Sequence, residues 1–313
     1  MNGKIAIIGA GFVGSSAAYA IALSGIASEM VLIDVAKEKA KGEAMDINHG
    51  LQFMKDIKIR SGDMDEVKGA DIVVMTAGLA RKAGETRLDL VKKNTDLLRG
   101  SILPELKKYY DGSVVLAVAN PVDVLAYFIQ KDLGIPTGRL ISSGTNLDTM
   151  RLRFRLSELL NISTKSINAY ILGEHGDSSF TAWSSASISG MKLDGYVKSL
   201  DFTFDDAAKD QIIQEVRAGG SDVIKAKGAT YYAIAVSIAT VCRAILFDEK
   251  AVFPLGTMME GMYGVKDVVI SLPSVVGKNG VEKVLDIGLT DAEVAAFKQS
   301  AQVLIDTIKD VEG

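Results

Sequence analysis

Two histidines and a few well-spaced aspartates and arginines carry whatever proton chemistry this sequence can do near neutral pH. His175 stands in LGEHGD between glycines at the end of an apolar run, where an ordinary core side chain has little room. His49, in DINHG, reads instead as the last residue of a helix before a capping glycine. Asp148 and Arg151 lie three residues apart in LDTMRLR, on one face of a helix expected to start near Leu147. An aspartate beside His175 would hold its tautomer and stabilise the imidazolium, and Arg151 could grip a carboxylate with two parallel hydrogen bonds. The plainer alternative is a surface ion pair between the two. A further feature, LARKAGETR (79–87), puts three cations into nine residues directly after the strand-like DIVVMTAG. Such a loop suits an anion.

GAGFVG (9–14) follows the run KIAII and opens a helical pattern, and Asp34 stands twenty residues beyond Gly14 at the end of a second strand. This is the context of a dinucleotide-binding fingerprint. Gly9, Gly11 and Gly14 would allow a tight turn and close approach of a pyrophosphate to the helix N-terminus, where free N–H groups favour anions. The other reading is a turn with packing glycines. A carboxylate at 34 accepts from ribose hydroxyls and repels a 2′-phosphate, so NAD is expected rather than NADP. Lys39 either touches the ribose or faces solvent, and the sequence alone favours solvent. Since a nicotinamide carries the hydride, the protein must supply a proton donor/acceptor, a group that polarises a carbonyl and one that orients the substrate.

GAGFVG, Asp34, TAG (76–78), GETRLDLVKKN (84–94), NPVD (120–123), LDTMRLR (147–153), GEHGDS (173–178) and KGATYY (227–232) together resemble the lactate/malate dehydrogenase family in order and spacing, over nearly all of the chain. The resemblance implies that His175 is the acid/base with Asp148 as its partner. It further implies that Arg151 binds the substrate 1-carboxylate, that Arg87 polarises the carbonyl from a closing loop hinged at Gly78 and Gly84, and that Asn120 bonds near substrate and nicotinamide. Cofactor contacts fall on Gly9, Gly11, Val13, Gly14, Asp34, Lys39, Gly78 and Asn120. A homotetramer or homodimer is also implied. A protein that kept the fold and NAD binding but lost catalysis is the rival class; retention of the whole polar set argues against it.

In that family the residue six before the polarising arginine faces the substrate's variable end, with Gln common in lactate and Arg in malate dehydrogenases. Here it is Arg81. An arginine pairs the second carboxylate of oxaloacetate but faces a methyl group in pyruvate, a mismatch worth on the order of a hundredfold in discrimination. Oxaloacetate/malate is therefore the expected pair, with pyruvate/lactate the alternative. Thr230, the tail AGETRLDLV and GEHGDSSFTAWS look like bacterial lactate dehydrogenases. Arg153 matches enzymes activated by fructose 1,6-bisphosphate, but Asn168 replaces the effector-site histidine, so little or no activation is expected.

The elements that must position these groups follow from pattern. KIAII, EMVLID, IKIR, DIVVMT, SVVLAVAN and RLISSG are short apolar runs separated by helical stretches, which means a parallel sheet covered on both faces. The expected fold is a Rossmann-type α/β doubly wound sheet over 1–144, followed by an α+β substrate and catalytic domain over 145–313. RLDLVKKNTDLLRGSILPELKKYY reads as one helical stretch, NAYILGEHGDSSFTAWSSASISG as strand-like, ATYYAIAVSIATVCRAIL as a buried helix. Thr290 and Glu293 suit a capping box ahead of an apolar stripe at Val294, Phe297, Ala301, Leu304 and Ile308. A chain of 313 residues, 48% hydrophobic, can bury a large core. Its net charge of −4, with cations interspersed among acids, offers no footprint for nucleic acid or an anionic membrane. A single cysteine, Cys242, excludes an intrachain disulfide and a multi-cysteine metal site. A cytoplasmic enzyme is the expectation.

Overall fold

In the computed structural model, which describes residues 3–80, 84–200 and 203–312, the apolar runs become six parallel strands. They are β1 (Lys4–Ile8), β2 (Glu29–Ile33), β3 (Lys58–Gly62), β4 (Ile72–Met75), β5 (Val114–Ala117) and β6 (Leu140–Ser142), in the order β3-β2-β1-β4-β5-β6. Every residue of β4 and β5 is buried, because helices cover both faces. Those helices are α1 (Phe12–Ser24), α2 (Lys37–His49), α3 (Arg87–Leu97), α4 (Leu103–Tyr109), α5 (Val122–Leu133) and α6 (Asn146–Leu160). The stretch expected as one helix is two: a π-turn over Leu98–Ile102 separates α3 from α4, ahead of Pro104.

The second half holds the short strands β7 (Ile167–Asn168), β8 (Ile171–Leu172), β9 (Phe180–Thr181), β10 (Ser187–Ile188) and β11 (Met191–Lys192), then α7 (Leu193–Val197), α8 (Asp206–Lys227) and α9 (Tyr232–Leu246). The long antiparallel strands β12 (Ala251–Glu260), β13 (Lys266–Gly277) and β14 (Gly280–Val284) precede α10 (Asp291–Glu312). β12 pairs with β6 through Gly256 opposite Ser142, so one nine-stranded sheet runs through both halves. The strand-like expectation for 168–190 resolves into two-residue strands; GEHGDSS is the loop joining β8 to β9. Gly228, at φ +86°, ends α8 and separates it from α9. The Thr290–Glu293 box is formed, and Phe297, Ala301, Leu304 and Ile308 are buried with Val294 at the edge of the stripe. Among the described residues no helix is long and apolar enough to cross a membrane.

Candidate active site

The fingerprint turn is tight where glycine is required and open where a ligand must approach. Gly9 has φ +104°, and its N–H donates to Ile33 O at 2.7 Å, tying the turn to β2. A Cβ on Gly14 would sit 1.8 Å from Gly9 O, whereas one on Gly11 would meet nothing within 4 Å. Gly11 caps α1, so the free N–H groups of the first turn border that open space, which fits a pyrophosphate. Asp34 accepts from Ala10 N–H at 2.6 Å and Ala36 N–H at 2.8 Å, which fixes its carboxylate at the edge of the turn. Lys39 is exposed, its ammonium 6.0 Å from the Phe12 ring centroid.

A cavity of about 360 Å³ lies at the C-terminal ends of the strands, lined by Val13, Asn120, Asp148, Arg151, His175 and Thr230. It brings the fingerprint helix, the NPVD turn, α6 and the GEHGD loop around one space. Asp148 and Arg151 fall in the first two turns of α6, where their three-residue spacing lets Arg151 Nη1 donate to Asp148 Oδ1 at 3.0 Å. The other oxygen, Oδ2, stands 2.6 Å from His175 Nδ1. Nε2 of the imidazole is thereby left for a substrate. The pair is neither a surface ion pair nor isolated: the Asp148 side chain is 13% exposed and His175 27%.

Burial alone would push the Asp148 carboxyl up, but His175 and Arg151 together hold it below the ordinary carboxylate range. Burial likewise opposes charging of His175, yet Asp148, assisted by Asp123, raises its pKa above the ordinary value while Arg151 works the other way. Such a histidine is a ready proton donor with its tautomer set by a carboxylate.

Arg87 opens α3 behind a capping box formed by Thr86 and Asp89. Its guanidinium does not line the large cavity. It occupies a smaller recess beside His175, Pro121 and Asp123, where it pairs with the buried Glu174 and lies 3.7 Å from Asp177. A Cβ on Gly176 would come within 2.6 Å of both Arg87 Nη2 and Glu174 Oε1, so a larger residue there would make the ends of that pair shift. Arg81, the expected specificity residue, lies outside the described residues, as does Lys82. Gly84 has φ +84°, while a Cβ on Gly78 would lie 3.1 Å from the Ala119 side chain.

Asn94 and Glu174 sit in quoted motifs, yet the sequence assigned them no role. Asn94 on α3 accepts from Leu79 N–H at 2.7 Å and donates to Leu79 O at 3.1 Å and Asn120 O at 2.7 Å, clamping the loop after β4 to the NPVD turn. The Glu174 backbone N–H is held by the buried Ser300 hydroxyl of α10 at 2.8 Å. Their signals are tertiary, which spacing does not reveal. Arg153 lies under Tyr170, its carbon 5.1 Å from the ring, and donates to Ala169 O at 3.1 Å; Asn168 is exposed on β7. Among the described residues no cluster of three or more metal-ligating side chains occurs.

The pattern of the lactate/malate dehydrogenase NAD-binding domain matches residues 3–142, and that of the lactate/malate dehydrogenase alpha/beta C-terminal domain matches residues 145–313. The chain is 46% identical over 309 residues to an L-lactate dehydrogenase of Thermoanaerobacterium saccharolyticum, covering 99% of each. It is 44% identical over 310 residues to one of Clostridium botulinum, covering 99% of this chain and 97% of the other. A solved lactate dehydrogenase from a Medee basin deep-sea metagenome superposes with a TM-score of 0.95 at 38% identity, covering 100% of this chain and 99% of that one. The ligand-bound minor L-lactate dehydrogenase of Enterococcus mundtii gives 0.94 at 38%, covering 99% and 98%.

Proposed function

Because this chain belongs to the lactate/malate dehydrogenase family and is an NAD-dependent 2-hydroxy acid dehydrogenase, we propose that it reduces pyruvate to L-lactate reversibly, with His175 as the proton donor. The observation that carries this reading is the His175–Asp148 pair at 2.6 Å on the wall of a cavity that Arg151 also lines.

When bound, NADH supplies the hydride. Arg151 grips the substrate carboxylate through the guanidinium nitrogens that Asp148 does not use, which orients the 2-oxo carbon. His175, held charged by Asp148, gives its Nε2 proton to the oxygen as the carbonyl is reduced, and takes it back in the reverse direction. Arg87, which lines the recess on the other side of His175, is the group that polarises the carbonyl. Asn120 and Thr230 complete the polar wall, and Asp34 with Gly9, Gly11, Val13, Gly14 and Gly78 forms the cofactor side. The division at 144/145 follows the change from dinucleotide-binding to substrate-binding elements.

The names of the relatives favour pyruvate over the oxaloacetate expected from Arg81 alone. Oxaloacetate remains the second reading on that one residue, since a guanidinium at 81 has no second carboxylate to meet in pyruvate. The test is kcat/KM for both substrates with NADH on one preparation, repeated with Arg81→Gln and with His175→Asn. Pyruvate is expected to be the better substrate, His175→Asn to lose turnover while still binding NADH, and Arg81→Gln to depress oxaloacetate use by roughly tenfold or more. An unmodified enzyme that prefers oxaloacetate reverses the substrate assignment, and turnover surviving in His175→Asn ends the proton-transfer assignment. The reading includes a cytoplasmic enzyme that assembles with copies of itself.

A further inference from the structure

We propose that Asp123 is a second carboxylate serving His175, fixing the backbone of the histidine and lending its charge to the imidazolium. The proposal rests on His175 being the acid. NPVD contributes Asn120 to the site, but its last residue has so far had no task.

Asp123 is 3% exposed and lies in the first turn of α5, where free N–H groups and the helix dipole favour a negative charge. Its oxygens are divided between two elements. Oδ2 accepts from the His175 backbone N–H at 2.8 Å, and Oδ1 accepts from the Ser142 hydroxyl at 2.6 Å. Ser142 Oγ itself accepts from Gly144 N–H at 3.1 Å, so its own proton is committed to Asp123. Burial pushes the Asp123 carboxyl up, and the Ser142 hydroxyl and the His175 N–H pull against it; two donors, one on each oxygen, are what an ionised carboxylate needs there. A Cβ at Gly256 would lie 3.1 Å from Oδ1 and 2.8 Å from the Ser142 Cβ, so β12 leaves this packing undisturbed only because it carries glycine there. Asp123 therefore links α5 and β6 of the first half to the β8–β9 loop of the second at the one residue that moves the proton.

The charges around His175 give the second carboxylate its purpose. From α6, Asp148 binds the ring while Arg151 opposes its protonation; from its own loop, Glu174 and Asp177 are engaged by Arg87 of α3. Asp148 is shared between two cations. Asp123, which makes no ion pair with Lys or Arg among the described residues, restores the balance toward the charged imidazole without touching the ring.

Asp123→Asn keeps the shape and an acceptor for His175 N–H but removes the charge. Reduction of the 2-oxo acid needs the protonated imidazole, so the alkaline fall of kcat/KM should move to lower pH by roughly half a unit to one unit, with NADH affinity unchanged. Ser142→Ala is the second variant and serves if the first does not fold. It keeps the charge and removes one donor, so kcat should fall several-fold with the pH limb in place. His175→Asn is assayed alongside. If it is inactive yet Asp123→Asn superposes on the parent pH profile, or Ser142→Ala keeps the parent kcat, Asp123 is only a packing residue. If His175→Asn is active, the function itself fails and this inference with it.

Discussion

Asp148 has two cations to serve, and its oxygens are divided between them: Oδ1 to Arg151 and Oδ2 to His175. On the roles proposed for Arg151 and His175, the arrangement would couple substrate orientation to proton supply, because the same carboxylate fixes both side chains. Asp148→Asn should therefore lower kcat on the order of a hundred- to ten-thousandfold. It should also shift the pH at which reduction fails. With the carboxylate present, the His175 pKa is raised, so activity falls only as pH rises through that raised value; without it the fall begins at lower pH. Stability follows the same signs. The histidine's contribution is full below its ordinary value and lost as pH rises through the raised one. That of Asp148 is present above its ordinary value and lost as pH falls through the lowered one. The stability difference between parent and Asp148→Asn should accordingly be greatest between those limits. Melting temperatures and initial rates across pH measure both, and an unmoved limb in the variant would sink the assignment.

The elements show which parts of the site can be read from sequence. The fingerprint could be, because backbone contact imposes its residue types: at Gly14 a Cβ has 1.8 Å to Gly9 O. Gly14→Ala should cost about 1–3 kcal/mol of stability by forcing α1 away from the turn, and NADH should bind more weakly as the N–H groups shift. Calorimetry of the variant checks this, and parent-like affinity with parent-like melting would contradict it. His175, Asp148 and Arg151 were legible as types and local spacings, but their meeting depends on α6 and the β8–β9 loop facing one cavity, a tertiary fact that only the resemblance anticipated. Asp123, Asn94 and Glu174 gained no role from the sequence because each acts by joining segments distant in the chain. Helical periodicity runs through Leu98–Ile102 without a break, so the π-turn between α3 and α4 left no signal.

At the scale of the whole molecule, the unexplained surface is apolar. Phe12, Tyr19 and Leu23 of α1 are 68%, 50% and 58% exposed, and Tyr232 and Val236 of the neighbouring α9 are 68% and 61% exposed. The spacings 12, 19, 23 and 232, 236 put each set on one helical face, and the two helices pack against each other, so one apolar patch across both is expected. A second copy of the chain is the occupant the reading above calls for. The patch sits on helices whose N-terminal ends border the proposed ligand sites: α1 starts at the fingerprint, and α9 starts just after Thr230. Phe12 also stacks on Tyr231 at 5.3 Å, linking the two ends. Covering this face would hold both ends still, so assembly and cofactor affinity should be coupled. Sedimentation of the parent is expected to give a dimer or tetramer. Leu23→Glu, remote from the fingerprint turn, should shift it toward monomer and weaken NADH binding as the protein is diluted. A parent that sediments as a monomer at micromolar concentration, or a monomeric Leu23→Glu with undiminished NADH affinity, would break that coupling.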